Sequence, residues 1–139
     1  MQPFIQEMPL MTESVPADRI HLCRAYDVRA GVETTGARIL VDRLWPRGIA
    51  KADLPVDAWL KDITPSNALR KWFGHDPAKW AEFSRRYRAE LLSEPQAVEE
   101  ALDWCRKGTV TLIYGAKDTR HTHALVLRDY LAARLEQEV

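Results

Sequence analysis

Three segments of the chain have the length and hydrophobic pattern of β-strands: residues 19–27, 38–44 and 109–115. The first alternates apolar and polar positions, and the second contains a continuous Ile-Leu-Val run over residues 39–41. The third is apolar, β-branched and uncharged. Alternation, or an uninterrupted apolar run of this length, is typical of strands that contact a core. We therefore predict three strands, with a glycine-containing loop between the first two.

Apolar residues at intervals of three and four predict helices between the second and third strands. The clearest runs from residue 76 to residue 91, with Asp76 as N-cap and Pro77 in the first helical position. Ser66 is the expected N-cap of a preceding helix that ends at Gly74. Three further helices are predicted over residues 53–62, 94–108 and 120–136, the last capped by Asp118 or Thr119.

Strands separated by helices favour an α/β fold. We predict a small three-layer-type α/β domain with a short, mainly parallel sheet and about five helices, formed by residues 18–139. Residues 1–17 contain three prolines and little periodicity, so we expect a flexible N-terminal arm. The connection between the first two strands has only about ten residues, which is near the minimum for a parallel crossover. Either a degenerate helix fits there, or these strands pair differently.

Charge and composition exclude only a few classes of function. The 139 residues include 20 basic and 20 acidic side chains, so any electrostatic recognition must be local. No apolar run is long enough to span a membrane, and the N-terminal segment lacks the features of a secretory signal. We expect a cytoplasmic protein whose two cysteines, Cys23 and Cys105, are buried and reduced.

Polar side chains follow each predicted strand. Carboxyl ends of parallel strands share one edge of a sheet, where ligands of α/β proteins bind. The predicted site residues at this edge are Tyr26, Asp42, Arg43, Trp45, Arg47, Lys117, Asp118 and His121. Gly115 would allow close approach to the backbone at this point. A helix placed directly after it would direct unpaired N–H groups toward an anion.

These side chains predict a cleft for a phosphate- or carboxylate-bearing small molecule. Arg43, Arg47 and Lys117 would bind the anion. Asp42, Asp118 and His121 would orient these cations or transfer a proton, and are the candidate catalytic residues. The walls would be formed by Tyr26 and Trp45. A hydrolase or transferase acting on a phosphorylated substrate is the corresponding enzymatic hypothesis.

Three alternatives remain open at this point. Asp42 and Asp118 could instead balance Arg43 and Lys117 in a structural ion-pair network, which predicts no pocket. The basic and aromatic residues of segment 45–88 could bind nucleic acid in a binding or regulatory module. A protein-interaction domain would present an exposed apolar patch.

No cofactor or metal site is predicted. The sequence has no GxGxxG motif and too few glycines for a P-loop. His121 and His123 are two residues apart, whereas metal-binding pairs on a helix are three or four apart.

The segments LVDRLWPRG, WLKDITPSNALRKWFGHDPAKWAEFSRRYRAEL and VTLIYGAKDTRHTHALVLRDYL give the chain a resemblance to the YeaO-like branch of the domain of unknown function 488 family. This resemblance implies an α/β fold and names no reaction. The broader family has a similar Asp-Val-Arg motif, which Val41-Asp42-Arg43 matches. It also carries a cysteine at a strand end where this chain has Tyr114-Gly115, so the resemblance argues against thiol chemistry here.

Overall fold

A computed structural model of the chain describes residues 19–138. The predicted arm over residues 1–17 lies outside this range. The strands are β1 (Ile20–Arg24), β2 (Ala37–Leu40), β3 (Ala58–Trp59) and β4 (Val110–Tyr114). The α-helices are α1 (Ala25–Arg29), α2 (Asn67–Phe73), α3 (Trp80–Leu92), α4 (Pro95–Lys107) and α5 (His123–Gln137). Short 3₁₀ turns occupy Lys51–Asp53 and Pro77–Lys79.

The four strands form one parallel sheet in the order β1-β4-β2-β3. Strand β4 lies between β1 and β2, and all five of its residues are buried. This explains its uninterrupted apolar sequence, since a central parallel strand is covered on both faces. The predicted parallel α/β architecture is confirmed, and the carboxyl ends of the strands meet at one edge of the sheet.

The two faces of the sheet pack against cores of unequal size. Val110 and Leu112 of β4 belong to a large cluster with side chains of α3, α4 and α5. Ile113 points to the other face and packs with Ala25 and Val28 of α1 in a smaller cluster. The period-two alternation of β4 therefore separates two helical layers, as the predicted three-layer arrangement requires.

The structure corrects the first crossover. The first strand ends at Arg24 rather than at residue 27, because Ala25 and Val28 lie one helical turn apart and are both buried. Strands β1 and β2 are not neighbours, since β4 pairs with both. A one-turn helix and a non-adjacent pairing together make the short connection possible.

The segment predicted as a helix over residues 53–62 is not helical. It forms a 3₁₀ turn and then β3, whose residues pair with Ile39 and Leu40. The Leu60 N–H donates to the Leu40 carbonyl at 2.9 Å, and Trp59 Nε1–H donates to the Asp42 carbonyl at 2.7 Å. These long-range hydrogen bonds override the local helical pattern.

Three helix termini follow their predicted caps. Ser66 Oγ accepts the Leu69 N–H, and Asp76 accepts the Ala78 N–H in front of Pro77. Gly74 closes α2 in the left-handed region, with φ of 54°. The last helix differs, because it begins at His123 and its N-cap is Thr122 rather than Asp118 or Thr119.

Within residues 19–138, no helix has the length and hydrophobicity needed to cross a bilayer.

Of the two glycines with positive φ in the connection between β1 and β2, we expect Gly36 to lose more stability on substitution by alanine. Its φ is +71°, and a Cβ there would lie 1.9 Å from the carbonyl oxygen of Thr109. Gly31 also has a positive φ, +105°, but a Cβ there would meet nothing within 4 Å. Gly31→Ala should therefore cost only backbone strain, about 1–2 kcal/mol, whereas Gly36→Ala adds a clash with backbone. Urea unfolding midpoints measure the loss of stability in each variant. Equal losses in the two variants would contradict the close approach of Gly36 to the Thr109 carbonyl.

Candidate functional site

A cleft of about 470 Å³ opens at the carboxyl ends of the strands. Most of its lining comes from the segment that follows β2, the end of the loop before α2, α2 itself, and the residues from the end of β4 to the start of α5. Tyr26 of α1 and Phe83 of α3 complete it. Six of the predicted site residues lie in its wall, namely Tyr26, Asp42, Arg43, Trp45, Arg47 and His121. The topology therefore brings together side chains that are up to 95 residues apart in sequence.

Asp42 occupies the point where the extensions of β2 and β4 meet. Its Oδ2 accepts the backbone N–H of Gly115 at 2.8 Å. A Cβ at residue 115 would lie 2.9 Å from the same oxygen, so the absence of a side chain at Gly115 allows this approach. The backbone at Gly115 is therefore closely approached by the carboxylate of Asp42.

His123, which sequence reasoning did not select, lies beside Asp42. Its Nε2–H donates to the Val41 carbonyl at 2.6 Å, and the same nitrogen is 3.7 Å from Asp42 Oδ1. Burial raises the pKa of Asp42, while the nearby His123 and the Gly115 N–H oppose that shift. Burial lowers the pKa of His123, and Asp42 opposes that change. The two groups form a largely desolvated pair beneath the cleft.

Asp118 and His121 form a second pair at the edge of the cleft. His121 Nδ1 lies 2.7 Å from Asp118 Oδ2, and Asp118 Oδ1 accepts the backbone N–H groups of Arg120 and His121. The hydrogen bond from His121 lowers the pKa of Asp118. Trp80 meets the His121 ring edge-on, with centroids 5.5 Å apart. Asp118 therefore fixes the orientation of an imidazole that lines the cleft.

The predicted ion-pair network is absent from residues 19–138. Asp42 and Asp118 are engaged by Gly115 and by the two histidines, and neither lies within 4.0 Å of Arg43 or Lys117 nitrogen atoms. Arg43 Nη2 instead donates to the Pro65 carbonyl at 3.3 Å. The ion-pair alternative was wrong because the fold places other partners beside both carboxylates. Asp42 lies next to Gly115 and His123, and Asp118 lies next to His121.

Two cations that sequence reasoning assigned to the basic-aromatic segment and not to the cleft, Arg70 and Lys71, enter the cleft from α2. Their helix is fixed by Glu90 of α3, whose carboxylate accepts both the N–H and the hydroxyl of Ser66. The capping signal at Ser66 placed the helix correctly. Its orientation toward the strand ends depends on Glu90, 24 residues away, which no local pattern reveals.

The outer wall of the cleft is aromatic and apolar. The Tyr26 hydroxyl donates to the Arg47 carbonyl at 2.8 Å, and Trp45 Nε1–H donates to the Ile49 carbonyl at 2.7 Å. Leu44 lies in the same wall and is 70% exposed. Lys117, in contrast, is exposed and is not among the lining residues, because the loop after β4 continues for eight residues before α5 begins.

Most aromatic residues of segment 45–88 pack against other side chains. Phe73 and Phe83 are buried and stack with centroids 4.4 Å apart. The Trp72 ring is covered by Lys79 and by Arg86, whose guanidinium carbon lies 4.3 Å from the ring centroid. These rings contribute to the core and to its edge.

Neither cysteine lines the cleft. Both are free thiols, and Cys105 is buried while Cys23 is half-buried. Burial raises the pKa of the Cys105 thiol to about 11, and burial together with Asp27 raises that of Cys23. Both thiols are thus poor nucleophiles near neutral pH. Among residues 19–138, no three His, Cys, Asp or Glu side chains are grouped so that they could hold a metal ion.

The His123–Asp42 pair predicts a specific dependence of stability on pH. Since the pKa of His123 is lowered from 6.5 in the folded protein, the unfolded chain binds this proton first as pH falls. The stability contributed by neutral His123 is therefore complete above pH 6.5 and is lost below it. Asp42 acts oppositely, because its raised pKa makes the folded state bind its proton first.

We expect the urea midpoint of the wild type to decrease from pH 7 to pH 5, and to decrease less in His123→Asn. His21→Asn, at an exposed position of β1, is the matched control and should retain the wild-type decrease. If the urea midpoint of His123→Asn decreases from pH 7 to pH 5 as much as that of the wild type, His123 is not the group responsible.

Comparison with known proteins places the chain in a family. Residues 19–139 match the sequence profile described as the inactive DUF488-N3 subclade. The chain is 48% identical over 108 residues to the uncharacterized protein YeaO of Escherichia coli (strain K12), which covers 78% of this chain and 92% of YeaO. It is 39% identical over 99 residues to the uncharacterized proteins Mb3100c of Mycobacterium bovis and Rv3073c of Mycobacterium tuberculosis, covering 71% of this chain and 83% of each relative. No solved structure matches the chain significantly. The chain belongs to the DUF488 family, within the YeaO-like branch.

Proposed function

We propose that the chain binds a small molecule with a phosphate or carboxylate group in the cleft at the carboxyl ends of the strands. The observation that carries this proposal is the charge of the cleft wall. Its lining residues include four cations, Arg43, Arg47, Arg70 and Lys71, against one carboxylate, Asp42. The chain as a whole has no net charge, so this excess of positive charge is local.

These cations are available to a ligand. None of the four takes part in an ion pair with a carboxylate of residues 19–138. Arg43 is anchored through backbone carbonyls, and its buried Nε has no hydrogen-bond partner in the same part of the chain. A guanidinium that keeps its full charge at the edge of a cleft favours an anionic group there.

The apolar wall indicates that the ligand is more than a bare anion. Leu44, Trp45 and Pro46 offer hydrophobic surface next to the cations. A mostly pre-formed cavity with few convergent polar groups is typical of small-molecule sites. This combination fits a phosphorylated or carboxylated metabolite with an apolar or ring-containing body.

Binding without turnover fits the site better than hydrolysis or group transfer. The matching subclade is described as inactive. Both thiols lie outside the cleft, and burial raises their pKa values. In this proposal His121, oriented by Asp118, donates a hydrogen bond to the bound anion, and Asp42 orders the loop that follows β4. The two free thiols also support a cytoplasmic location.

Nucleic-acid binding by segment 45–88 has less support. Sequence-independent binding of single strands needs aromatic faces on which bases can stack. Here Phe73 and Phe83 stack on each other in the core, and Arg86 covers Trp72.

A thermal-shift series with inorganic phosphate and citrate, and glucose as the neutral control, tests the proposal. A ligand at about 100 times its Kd stabilises the folded state by about 2.7 kcal/mol, which raises Tm by several degrees. We expect this rise with at least one of the anions and not with glucose. Arg70→Ala and Lys71→Ala should each weaken anion binding by about fivefold, the effect of one partly screened charge.

Lys117→Ala is the matched control, since it removes an exposed cation outside the cleft. It should leave the anion-induced shift unchanged. Equal losses in Lys117→Ala and Lys71→Ala, or no shift with either anion, would reject the proposed site. Thermal-shift measurements with an oligonucleotide in 50 and 200 mM salt would detect nucleic-acid binding, because the affinity for nucleic acid falls steeply with salt concentration.

A further inference from the structure

Asp42 is an unexpected group to find in a cleft lined by cations. It is the single carboxylate among the lining residues, all of which belong to residues 19–138. Its side chain is 20% exposed, so it is reached from the cleft although it is largely desolvated. If the cleft bound only a simple anion, this negative charge would weaken binding.

One oxygen of Asp42 lacks a hydrogen bond within the described part of the chain. Oδ2 accepts the Gly115 N–H at 2.8 Å. The nearest basic nitrogen to Oδ1 is His123 Nε2, at 3.7 Å, which is beyond hydrogen-bond distance. The proton of that nitrogen is directed to the Val41 carbonyl, 2.6 Å away. Oδ1 is therefore an unused acceptor at the wall of the cleft.

We propose that Asp42 is a specificity-determining residue, which selects ligands that carry an amine or a hydroxyl close to their anionic group. This inference rests on the proposed function of the cleft. The cations would bind the phosphate or carboxylate, and Asp42 Oδ1 would accept a hydrogen bond from the neighbouring N–H or O–H of the ligand. A charge-assisted hydrogen bond of this kind is roughly twice as strong as one between neutral groups.

The surroundings of Asp42 strengthen this selection. His123 of α5, Arg70 of α2 and the Gly115 N–H are the charged and polar groups that act on it. Burial disfavours the ionised carboxylate, as the raised pKa of Asp42 reflects. An ammonium or hydroxyl from a ligand would offset this desolvation, whereas a ligand without a donor would leave the carboxylate beside a second negative charge.

Two probes of similar size separate this inference from simple electrostatic attraction. O-phosphoethanolamine carries an ammonium group on the carbon that is the terminal methyl group of ethyl phosphate. A cleft that only attracts negative charge would prefer ethyl phosphate, because its net charge is more negative. A cleft that also uses Asp42 should prefer O-phosphoethanolamine, and we expect at least a fivefold lower Kd by isothermal titration calorimetry at pH 7.5.

Asp42→Asn should abolish the preference for O-phosphoethanolamine or reverse it in favour of ethyl phosphate, and should leave ethyl phosphate binding equal or tighter. An asparagine oxygen can still accept the Gly115 N–H, so the strand ends stay connected. Asp129→Asn is the matched control, because it removes an exposed carboxylate on α5 and should retain the wild-type ratio.

The outcomes distinguish this inference from the proposed function. If the wild type binds both probes equally, or prefers ethyl phosphate, the role of Asp42 is wrong and the anion site stands. An Asp42→Asn ratio equal to the wild-type ratio leads to the same conclusion. If neither probe binds, the anion site and the role of Asp42 are both rejected. The ratio of the two Kd values is measured on the wild type, so the role of Asp42 can be tested even if Asp42→Asn folds poorly.

Discussion

The hydrogen bond between Asp42 Oδ2 and the Gly115 N–H joins the two chain segments on which the cleft is built. One segment follows β2 and carries Arg43, Trp45 and Arg47; the other follows β4 and leads to His121. A Cβ at residue 115 would lie 2.9 Å from Asp42 Oδ2, so a side chain there would crowd this contact. Together with the hydrogen bond from the Val41 N–H to the Ile113 carbonyl, at 2.9 Å, this contact holds the two strand extensions side by side at their carboxyl ends.

Around this contact, each polar group of the cleft is held by an element of its own. Glu90 of α3 fixes the start of α2 and thereby presents Arg70 and Lys71. Asp118 orients His121, and the Val41 carbonyl orients His123. Because these supports are separate, single substitutions should alter one feature of the cleft without dissolving the rest. This separation suits a site that recognises several groups of one ligand.

The family to which the chain belongs also bears on the chemistry of this edge. The resemblance seen in the sequence implies a cysteine at a strand end where this chain has Tyr114-Gly115. In the structure Tyr114 is buried, and Gly115 donates its N–H to Asp42. The position thus has a structural contact in place of a nucleophile. The matching subclade is described as inactive, which agrees with this difference.

The sequence by itself determined the elements whose signals are local. The apolar run of β4 can be read from a few consecutive residues, and the caps at Ser66 and Asp76 form with residues two or three positions away; the structure has all three as predicted. The polar residues at the end of the second strand, Asp42 and Arg43, were found in the same way, because charges directly after a buried strand mark the edge where ligands bind.

Only the tertiary structure decided which other groups join them. Strand β3 exists because it pairs with β2, although its own sequence favours a helix. His123 reaches Val41, 82 residues away, and Arg70 enters the cleft because Glu90 holds the start of α2. Lys117 lies outside the cleft because α5 begins six residues later than that lysine. Each of these outcomes depends on contacts between distant residues, whose free energy no short stretch of sequence contains.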